Sequence, residues 1–343
     1  MSQQQQLNKR NKTQSHPFLR FAGLILPWLT PPELAAVSST CKTLHRISKS
    51  VALRRSLDAA RSLERRPIPF HNPLPGDATT AQYANFLYTP SQLLPSQSPT
   101  RQPWGLHSPG QLGRDLASQS DRISPHQGKS GCGCDCEGCG EEESGEIFCG
   151  VEEEMETGIL SECGPSCGCG LECGNRLTQR GVSVGLKIVR DVRKGWGLFA
   201  DQLIPQGHFV CEYAGELLTT EESRRRQEIY DGHMTGGRSS SALLVVREHL
   251  PSGKACLRIN IDATRVGNIA RFINHSCDGG NLSSVLVRNT GSLIPRLCFF
   301  ASKDIEEGEE LTFSYGEIRV RANGMPCFCG SSCCLGTLPS EHT

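Results

Sequence analysis

The sequence lacks the features of a membrane or secreted protein. Among its 343 residues, no apolar run approaches the roughly 20 residues that a membrane-spanning helix needs. No apolar stretch follows the charges of MSQQQQLNKRNK, so we expect no secretory signal there. The chain also lacks net charge and any internal repeat. A membrane protein, a secreted protein and a repeat array are therefore not indicated.

The balanced charge hides an asymmetry along the chain. Residues 1–130 hold 16 Lys and Arg against 6 Asp and Glu, whereas the remainder holds 20 against 30. Bound zinc would not reverse this, because thiolate clusters remain anionic. An acidic second part suits a basic peptide and disfavours direct binding of nucleic acid by that part. A merely solvated acidic surface is the alternative.

Cysteine, in contrast, is abundant, with 18 residues. Clustered CxC and CxxC spacings without a secretory signal favour metal ligation over disulfides. Three tetrahedral zinc ions need about twelve ligand positions, which nine thiolates fill if three of them bridge two metals. Which cysteines bridge stays open. The nine candidates are Cys132, Cys134, Cys136, Cys139, Cys149, Cys163, Cys167, Cys169 and Cys173.

Composition divides the part of the chain before and around these cysteines into four segments. Residues 1–16 are rich in Gln and Lys and are predicted to be disordered. Residues 17–66 are predicted to be helical. Residues 67–130 are rich in Pro, Ser and Gln and are predicted to form a linker. Residues 131–180 contain the nine-cysteine block and an acidic insert.

The helical segment has recognisable start signals. Thr30 is a candidate N-cap, with Pro31 in the first turn and Glu33 closing a capping box. Two helices are predicted from apolar spacing, one through Leu34, Val37, Cys41 and Leu44 and one through Val51, Leu53, Leu57 and Leu63. The run LILPWLTPPELAAVSSTCKTLHRI resembles the F-box, which implies a ubiquitin-ligase scaffold as a partner. A plain helical hairpin is the alternative.

From Val182 onward the pattern becomes that of a mainly β protein. Short alternating apolar runs such as VSVGLKIV, CLRINID and RLCFFAS are separated by Gly, Pro and charged turns. One helix is predicted at Thr219–Tyr230, where Thr219 and Glu222 form a capping box. A second short helix or turn is expected just before Asn274.

Four motifs in this part carry a family resemblance. They are GWG at 195–197, EYAGE at 212–216, RFINHSC at 271–277 and ELTFSY at 310–315. With the nine cysteines before them and a CxCx4C tail after them, they resemble the SET-domain protein lysine methyltransferases. The similarity is greatest to the suppressor-of-variegation class of histone methyltransferases, including its plant members.

The resemblance implies both a fold and an activity. The fold would be a mainly β SET-domain β-clip of small sheets with a knotted C-terminal segment. Residues 131–180 would be the pre-SET zinc module, 181–316 the SET catalytic domain and 323–339 the post-SET zinc tail. The protein would transfer methyl groups from S-adenosylmethionine to a histone H3 lysine, at the ninth position of the tail, in nuclear chromatin silencing with chromatin-associated partners. A non-histone lysine substrate and a non-catalytic SET scaffold are the alternatives.

The resemblance also assigns residues to the methyl donor. The GWG loop would contact the cofactor, and the Asn-His pair would hold its adenosine and methionine parts. Arg271 is a further candidate, with a structural salt bridge as its alternative role. The assigned cofactor residues are Gly195, Trp196, Gly197, Arg271, Asn274 and His275.

Tyr315 is the candidate catalytic residue. Lysine must attack as a neutral amine, and deprotonation near neutral pH costs roughly 4 kcal/mol from its reference pKa of about 10.4. An apolar channel beside a sulfonium lowers that pKa, and a tyrosine hydroxyl can orient the amine. Tyr213 and Phe313 are assigned to the channel, with a role in the core as the alternative for Tyr213. Phe313 stands where the family has Phe or Tyr, and Phe implies room for di- or trimethylation.

A second zinc site is implied at the tail. Cys277, Cys327, Cys329 and Cys334 would bind one zinc, with Cys333 as the rival of Cys334. Structural zinc supplies roughly 10–16 kcal/mol of apparent binding energy, which is enough to hold a Gly-rich tail. The remaining cysteines are spare thiols or small apolar residues, namely Cys41, Cys211, Cys256, Cys298 and Cys333.

Three features depart from the family pattern. Ser314 stands where Asp is common, so a reduced activity or a purely structural position is expected there. Asp278-Gly279-Gly280-Asn281 replaces a shorter Asp-Pro-Asn, which predicts a looser loop. The run HMTGGRSSSALLVV lacks an expected aromatic residue that would pack the cofactor and frame the peptide groove.

Overall fold

The structure is a computed structural model and describes residues 17–29, 31–74, 86–94, 159–165, 167–170, 173–234, 241–249, 256–316 and 325–339. None of the helices within these ranges combines the length and the apolar character that crossing a bilayer requires. The predicted disordered segment 1–16 and most of the acidic insert lie outside the described residues.

Three helices form the N-terminal part. They are α1 (Pro17–Ile25), α2 (Pro31–Ser38) and α3 (Lys42–Leu57), with a 3-10 turn at Leu26–Trp28. Their shared core consists of Ala22, Leu26, Leu34, Leu44 and Val51. The F-box resemblance of this segment stays a prediction.

The helix boundaries differ from the sequence prediction. One helix was expected to run from Leu34 through Cys41, but the chain turns between α2 and α3. The hydroxyls of Ser39 and Thr40 donate to the carbonyls of Ala36 and Val37, both at 2.7 Å, and these bonds compete with continued helix. Thr30, the predicted cap, lies outside the described residues.

The spacing of apolar residues in α3 does not predict which of its side chains are buried. Val51 is buried as predicted, but Leu53 and Leu57 are 60% and 59% exposed. The buried face of α3 instead includes Ser48 and Arg55, whose guanidinium donates to the carbonyls of Pro27 and Leu29.

Short strands make up the rest of the fold, with helix α4 (Thr220–Met234) and 3-10 turns at Gly174–Arg180 and Ile269–Phe272. The strands are β1 (Phe70–His71), β2 (Leu87–Tyr88), β3 (Ile159–Glu162), β4 (Leu186–Asp191), β5 (Gly195–Ala200), β6 (Phe209–Glu212), β7 (Gly215–Leu218), β8 (Leu243–His249), β9 (Cys256–Gly267), β10 (Asn274–His275), β11 (Leu282–Asn289), β12 (Arg296–Ala301) and β13 (Thr312–Phe313).

These strands form small sheets rather than one large one. One sheet has the order β1-β4-β5, a second β3-β11-β12-β6 and a third β2-β9-β7 with β8 also paired to β9, while β10 and β13 pair with each other. The mainly β fold of small sheets expected from the sequence is confirmed. In α4, the Thr219 hydroxyl accepts from the Glu222 N–H at 3.2 Å, whereas the Glu222 carboxylate binds arginines instead of closing the box.

The described part of the segment 67–130 differs from the linker that its composition suggests. β1 pairs in parallel with β4, and β2 pairs in parallel with β9. Four apolar side chains of this segment are buried in the main core, namely Ile68, Phe70, Phe86 and Tyr88. The Tyr88 hydroxyl donates to Glu64 at 2.6 Å. A few buried apolar residues are therefore enough to add the short strands β1 and β2 to the main β body.

Candidate active site

Two of the sequence motifs meet through a single pair of short strands. In the parallel pairing of β10 with β13, Asn274 lies opposite Thr312 and His275 lies opposite Phe313. The Ser276 N–H donates to the Phe313 carbonyl at 3.0 Å and extends the contact. The pairing brings RFINHSC and ELTFSY together although almost 40 residues separate them in sequence.

Tyr315 follows β13 and is held at both ends. Its hydroxyl donates to the Ile273 carbonyl at 2.8 Å, and its backbone N–H donates to Nδ1 of His275 at 3.1 Å. Burial, with a smaller contribution from Glu310, raises the pKa of Tyr315 well above its ordinary value. The phenol therefore stays neutral. Its hydrogen is donated to the Ile273 carbonyl, so its oxygen can act only as an acceptor toward any further partner.

The ring of Tyr315 packs into a cluster of aromatic rings. Phe313 is buried and its ring centroid lies 5.0 Å from Tyr315 and 4.7 Å from Phe299. Tyr213 packs edge-on against Phe299 at 6.4 Å, and its hydroxyl donates to the Ala242 carbonyl at 2.8 Å. Tyr213 and Phe313 thus lie in one aromatic cluster with Tyr315, as the channel assignment requires.

Asn274 is fixed by a carboxylate that the sequence analysis did not select. Its Nδ2 donates to Glu310 Oε1 at 2.8 Å and to the Trp196 carbonyl at 3.3 Å. Glu310 also forms a partly buried ion pair with Lys194 at 2.5 Å. Glu310 therefore orients Asn274 against the GWG strand, and its position at the start of ELTFSY was the only signal in the sequence.

The GWG motif lies in β5, close to Asn274. A Cβ atom at Gly197 would stand 2.8 Å from Glu310 Oε1 and 3.1 Å from Asn274 Nδ2, so only glycine leaves these groups in place. Gly195 has a φ of 88°, which other residues rarely adopt. Trp196 is buried, and its ring meets Phe70 edge-on at 5.4 Å.

Arg271 is placed among aromatic rings. Its guanidinium lies over Phe86 at 4.7 Å and over Phe272 at 5.3 Å. These contacts account for a structural role in joining the N-terminal strands to the turn before Asn274. They leave its assignment to the cofactor as a prediction.

Asn268 joins two motifs and was also missed. It is 1% exposed, its Nδ2 donates to the Glu212 carbonyl at 2.6 Å and its Oδ1 accepts from the N–H groups of Ala214 and Ala270. EYAGE is thereby tied to the turn that leads into β10. A single Asn before a predicted turn carries no signal that separates it from an ordinary cap.

The four tail cysteines chosen from the sequence come together. The Sγ atoms of Cys277, Cys327, Cys329 and Cys334 all lie within 4.8 Å of one another. Cys277 and Cys327 have an Sγ–Sγ distance of 3.8 Å, which matches the edge of a tetrahedron with Zn–S bonds of about 2.3 Å. The donor set and spacing therefore fit zinc. Cys333 is exposed and contacts the Ser331 hydroxyl at 3.0 Å, outside this group.

The tail group is coupled to the site through His275. Nε2 of His275 lies 3.3 Å from Sγ of Cys277, while its Nδ1 accepts from the Tyr315 N–H. This pattern assigns the ring proton to Nε2, directed at the thiol. Burial opposes ionisation of Cys329, but N–H groups of Cys277 and Ser331 lower its pKa to about 6.

Some cysteines of the nine-cysteine block also lie close together in the structure. Cys163, Cys169 and Cys173 lie within 4.8 Å of one another, and Cys167 is buried beside them with its Sγ accepting from Gly164 N–H at 3.2 Å. Cys132, Cys134, Cys136, Cys139 and Cys149 lie outside the described residues. The three-zinc arrangement therefore stays a prediction.

The departures from the family pattern have small local effects in the structure. Ser314 is exposed, and its hydroxyl accepts from the Gly316 N–H at 3.3 Å. Gly280 forms a bridge to Phe313, and Asp278 accepts from the Gly280 N–H at 3.0 Å. The looser loop stays a prediction. Residues 235–240 of the altered groove segment lie outside the described part.

Comparisons with known proteins identify the family and the fold. The SET domain model matches residues 195–316. Histone-lysine N-methyltransferase SUVR3 of Arabidopsis thaliana is 58% identical over 340 residues, covering 95% of this chain and 92% of that protein.

Two solved structures show the same fold. The methyltransferase domain of human histone-lysine N-methyltransferase SETMAR is 28% identical with a TM-score of 0.54, over 82% of this chain and 97% of that chain. Arabidopsis thaliana SUVH6 in complex with SAM is 26% identical with a TM-score of 0.57, over 89% of this chain and 58% of that chain. The chain belongs to the SET-domain family of histone-lysine N-methyltransferases.

Proposed function

We propose that this protein transfers methyl groups from S-adenosylmethionine to the ninth-position lysine of the histone H3 tail and acts in chromatin silencing in the nucleus. Family membership supports a histone lysine as the substrate. The choice of H3 and of its ninth position rests on the resemblance to the suppressor-of-variegation class. The acidic charge of residues 131–343 suits a basic tail.

The observation that carries the proposal is the parallel pairing of β10 with β13. It sets Asn274 and His275, proposed to hold the donor, next to Phe313 and Tyr315, proposed to receive the lysine. Bound S-adenosylmethionine would supply an electrophilic methyl group. The side chains need only bring the amine into line with it and keep water from competing.

Tyr315 is proposed to orient the amine. Its hydrogen is used by the Ile273 carbonyl, so the phenolic oxygen can accept an N–H of the lysine and direct the lone pair elsewhere. The ring of Phe313 beside it offers no polar atom to hold a water or to restrict amine rotation. This arrangement supports addition of more than one methyl group.

The two zinc sites are proposed to hold the module and the tail. Zinc on Cys277 and the three tail cysteines would offset the charge of the thiolates and crosslink the tail to the loop after β10. Because Cys277 contacts His275, this crosslink would also hold the proposed donor site in place. One zinc at the tail and three in the nine-cysteine block predict about four zinc ions per chain. Elemental analysis of purified protein tests this number.

The decisive experiment is mass spectrometry of a basic-peptide array after incubation with enzyme and S-adenosylmethionine. Transfer to the ninth-position H3 peptide, lost in Tyr315→Phe, is the expected result. Tyr315→Phe removes one hydroxyl and keeps the aromatic packing, so thermal unfolding should show a folded protein. Transfer only to other peptides would indicate a non-histone substrate. No transfer above the Tyr315→Phe background would indicate a scaffold and overturn the proposal.

A further inference from the structure

Helix α3 presents a row of basic side chains to solvent. Lys42, Arg46 and Lys49 are all exposed and follow one another at spacings of four and three residues. Residues with these spacings lie on one face of a helix. Helix α3 contains no Asp or Glu along its whole length, and His45 is exposed at the side of the row.

The neighbourhood does not neutralise this row. In the described part of the chain, none of the three side chains takes part in an ion pair. Residues 17–57 hold six Lys or Arg against one acidic residue, Glu33. The opposite face of α3 packs into the helical core through Leu44 and Val51. The positive charges of the row therefore face the solvent, because the other face of α3 is packed in the core.

An open groove lies at the start of the row. It has a volume of about 670 Å³ and is lined by Ser38, Ser39, Cys41, Lys42, His45 and Arg46. The cationic groups of Lys42 and Arg46 are suited to phosphate oxygens, and His45 lies beside them with its Nδ1 2.9 Å from the Ser38 hydroxyl. The groove and the exposed row form one continuous basic surface, which we define as Ser38, Ser39, Lys42, His45, Arg46 and Lys49.

The spacing of the row fits a polymer of phosphates. From Lys42 to Lys49 the helix rises about 10.5 Å at about 1.5 Å per residue. Each strand of duplex DNA carries one charge per about 3.4 Å of axis. Three cations spread over this length can reach more than one phosphate of a strand, which a single small anion does not offer.

From this surface we infer that α3 binds the phosphate backbone of duplex DNA. The surface offers contacts to phosphate oxygens, and phosphate contacts carry no sequence information. We therefore expect the binding to be independent of sequence. The acidic part of the chain does not take part, so the basic N-terminal part holds DNA while residues 131–343 remain free for a basic peptide.

The test measures binding of the full chain to a fluorescein-labelled 20-base-pair duplex by anisotropy between 50 and 200 mM NaCl. The triple variant Lys42→Gln, Arg46→Gln, Lys49→Gln loses three phosphate contacts. Its slope of log K against log salt should therefore be shallower by about 2.7, at about 0.9 per contact. Across this salt range wild type should lose about 40-fold more affinity than the variant, and a duplex of unrelated sequence should bind equally.

The control variant removes the same charge from exposed positions of the catalytic part. It carries Arg224→Gln, Arg265→Gln and Lys303→Gln and should bind the duplex as wild type does. Equal losses in both variants would mean that only net charge matters and would overturn the inference. Polyglutamate that displaces the labelled duplex as well as unlabelled duplex of the same total charge does would indicate an acidic protein partner. That result would also overturn the inference.

Two further measurements keep the test independent of folding and of the proposed function. Single variants at Lys42, Arg46 and Lys49 should each reduce the slope by about 0.9. Methylation of free peptide by the triple variant should equal that of wild type, so loss of DNA binding and loss of transfer are separable. An unchanged slope in all single variants would overturn the inference.

Discussion

Replacing Gly197 with Ala should weaken binding of the methyl donor in addition to lowering the stability of the fold. The added methyl would lie 2.8 Å from Glu310 Oε1, 3.0 Å from Phe199 Cε2 and 3.1 Å from Asn274 Nδ2. Gly197 does not have a positive φ, so the backbone itself accepts alanine. The methyl must therefore displace side chains, and the Asn274 amide is the one proposed to contact the donor.

The size of the effect follows from these contacts. Overpacking of this kind costs about 1–3 kcal/mol of folding free energy. Displacing the Asn274 amide forfeits one hydrogen bond to the donor, worth about 1–3 kcal/mol. The dissociation constant for S-adenosylmethionine should therefore rise by about 5- to 150-fold.

Gly308→Ala provides a matched control. Gly308 has a φ of 87° and nothing within 4 Å of its added Cβ, so alanine there costs about 1–2 kcal/mol of backbone strain without touching the site. Both variants should lose similar stability in urea unfolding, while only Gly197→Ala should lose donor affinity in isothermal titration calorimetry. Normal donor affinity in a folded Gly197→Ala protein would refute the placement of Asn274 at the donor site.

Three further predictions concern the product, the tail and the pH dependence of stability. Phe313→Tyr should shift the product to monomethyllysine, because the added hydroxyl crowds the amine; an unchanged product distribution in mass spectrometry would count against the channel assignment. Cys334→Ser should lower the zinc content by about one ion per chain and abolish transfer, while Cys333→Ser should leave both unchanged by elemental analysis and activity assay. Burial and Asp262 raise the pKa of Tyr230 to about 12, so its contribution to stability is complete below about pH 10 and is lost as the pH rises toward 12. Urea unfolding of Tyr230→Phe should show a smaller stability loss over that interval, and an identical loss would contradict the burial of this phenol.

The sequence was informative where chemistry constrains spacing. Cys277, Cys327, Cys329 and Cys334 were chosen by pattern, and the structure brings their sulfur atoms together. The alternating runs after Val182 predicted small sheets, because a half-buried strand must alternate its side chains.

Other features depend on tertiary contacts that no local pattern carries. Phe70 and Phe86 sit in a Pro- and Ser-rich segment and become core residues only because Trp196, Phe272 and Arg271 come together there. Glu310 gains its importance from Asn274 and Lys194, both distant in sequence. Leu53 and Leu57 have the right spacing for burial, but no partner helix covers them among the described residues.

The pairing of β10 with β13 also sets the order in which activity can appear during synthesis. Strands β11 and β12 lie between the two partners in sequence, so the chain must emerge past Phe313 before Asn274 and His275 acquire their neighbour. Long-range contacts of this kind form late, after local hairpins. A nascent chain that ends before Thr312 can therefore fold much of its core but lacks the contact between β10 and β13, and the proposed site is assembled only after β13 has been made.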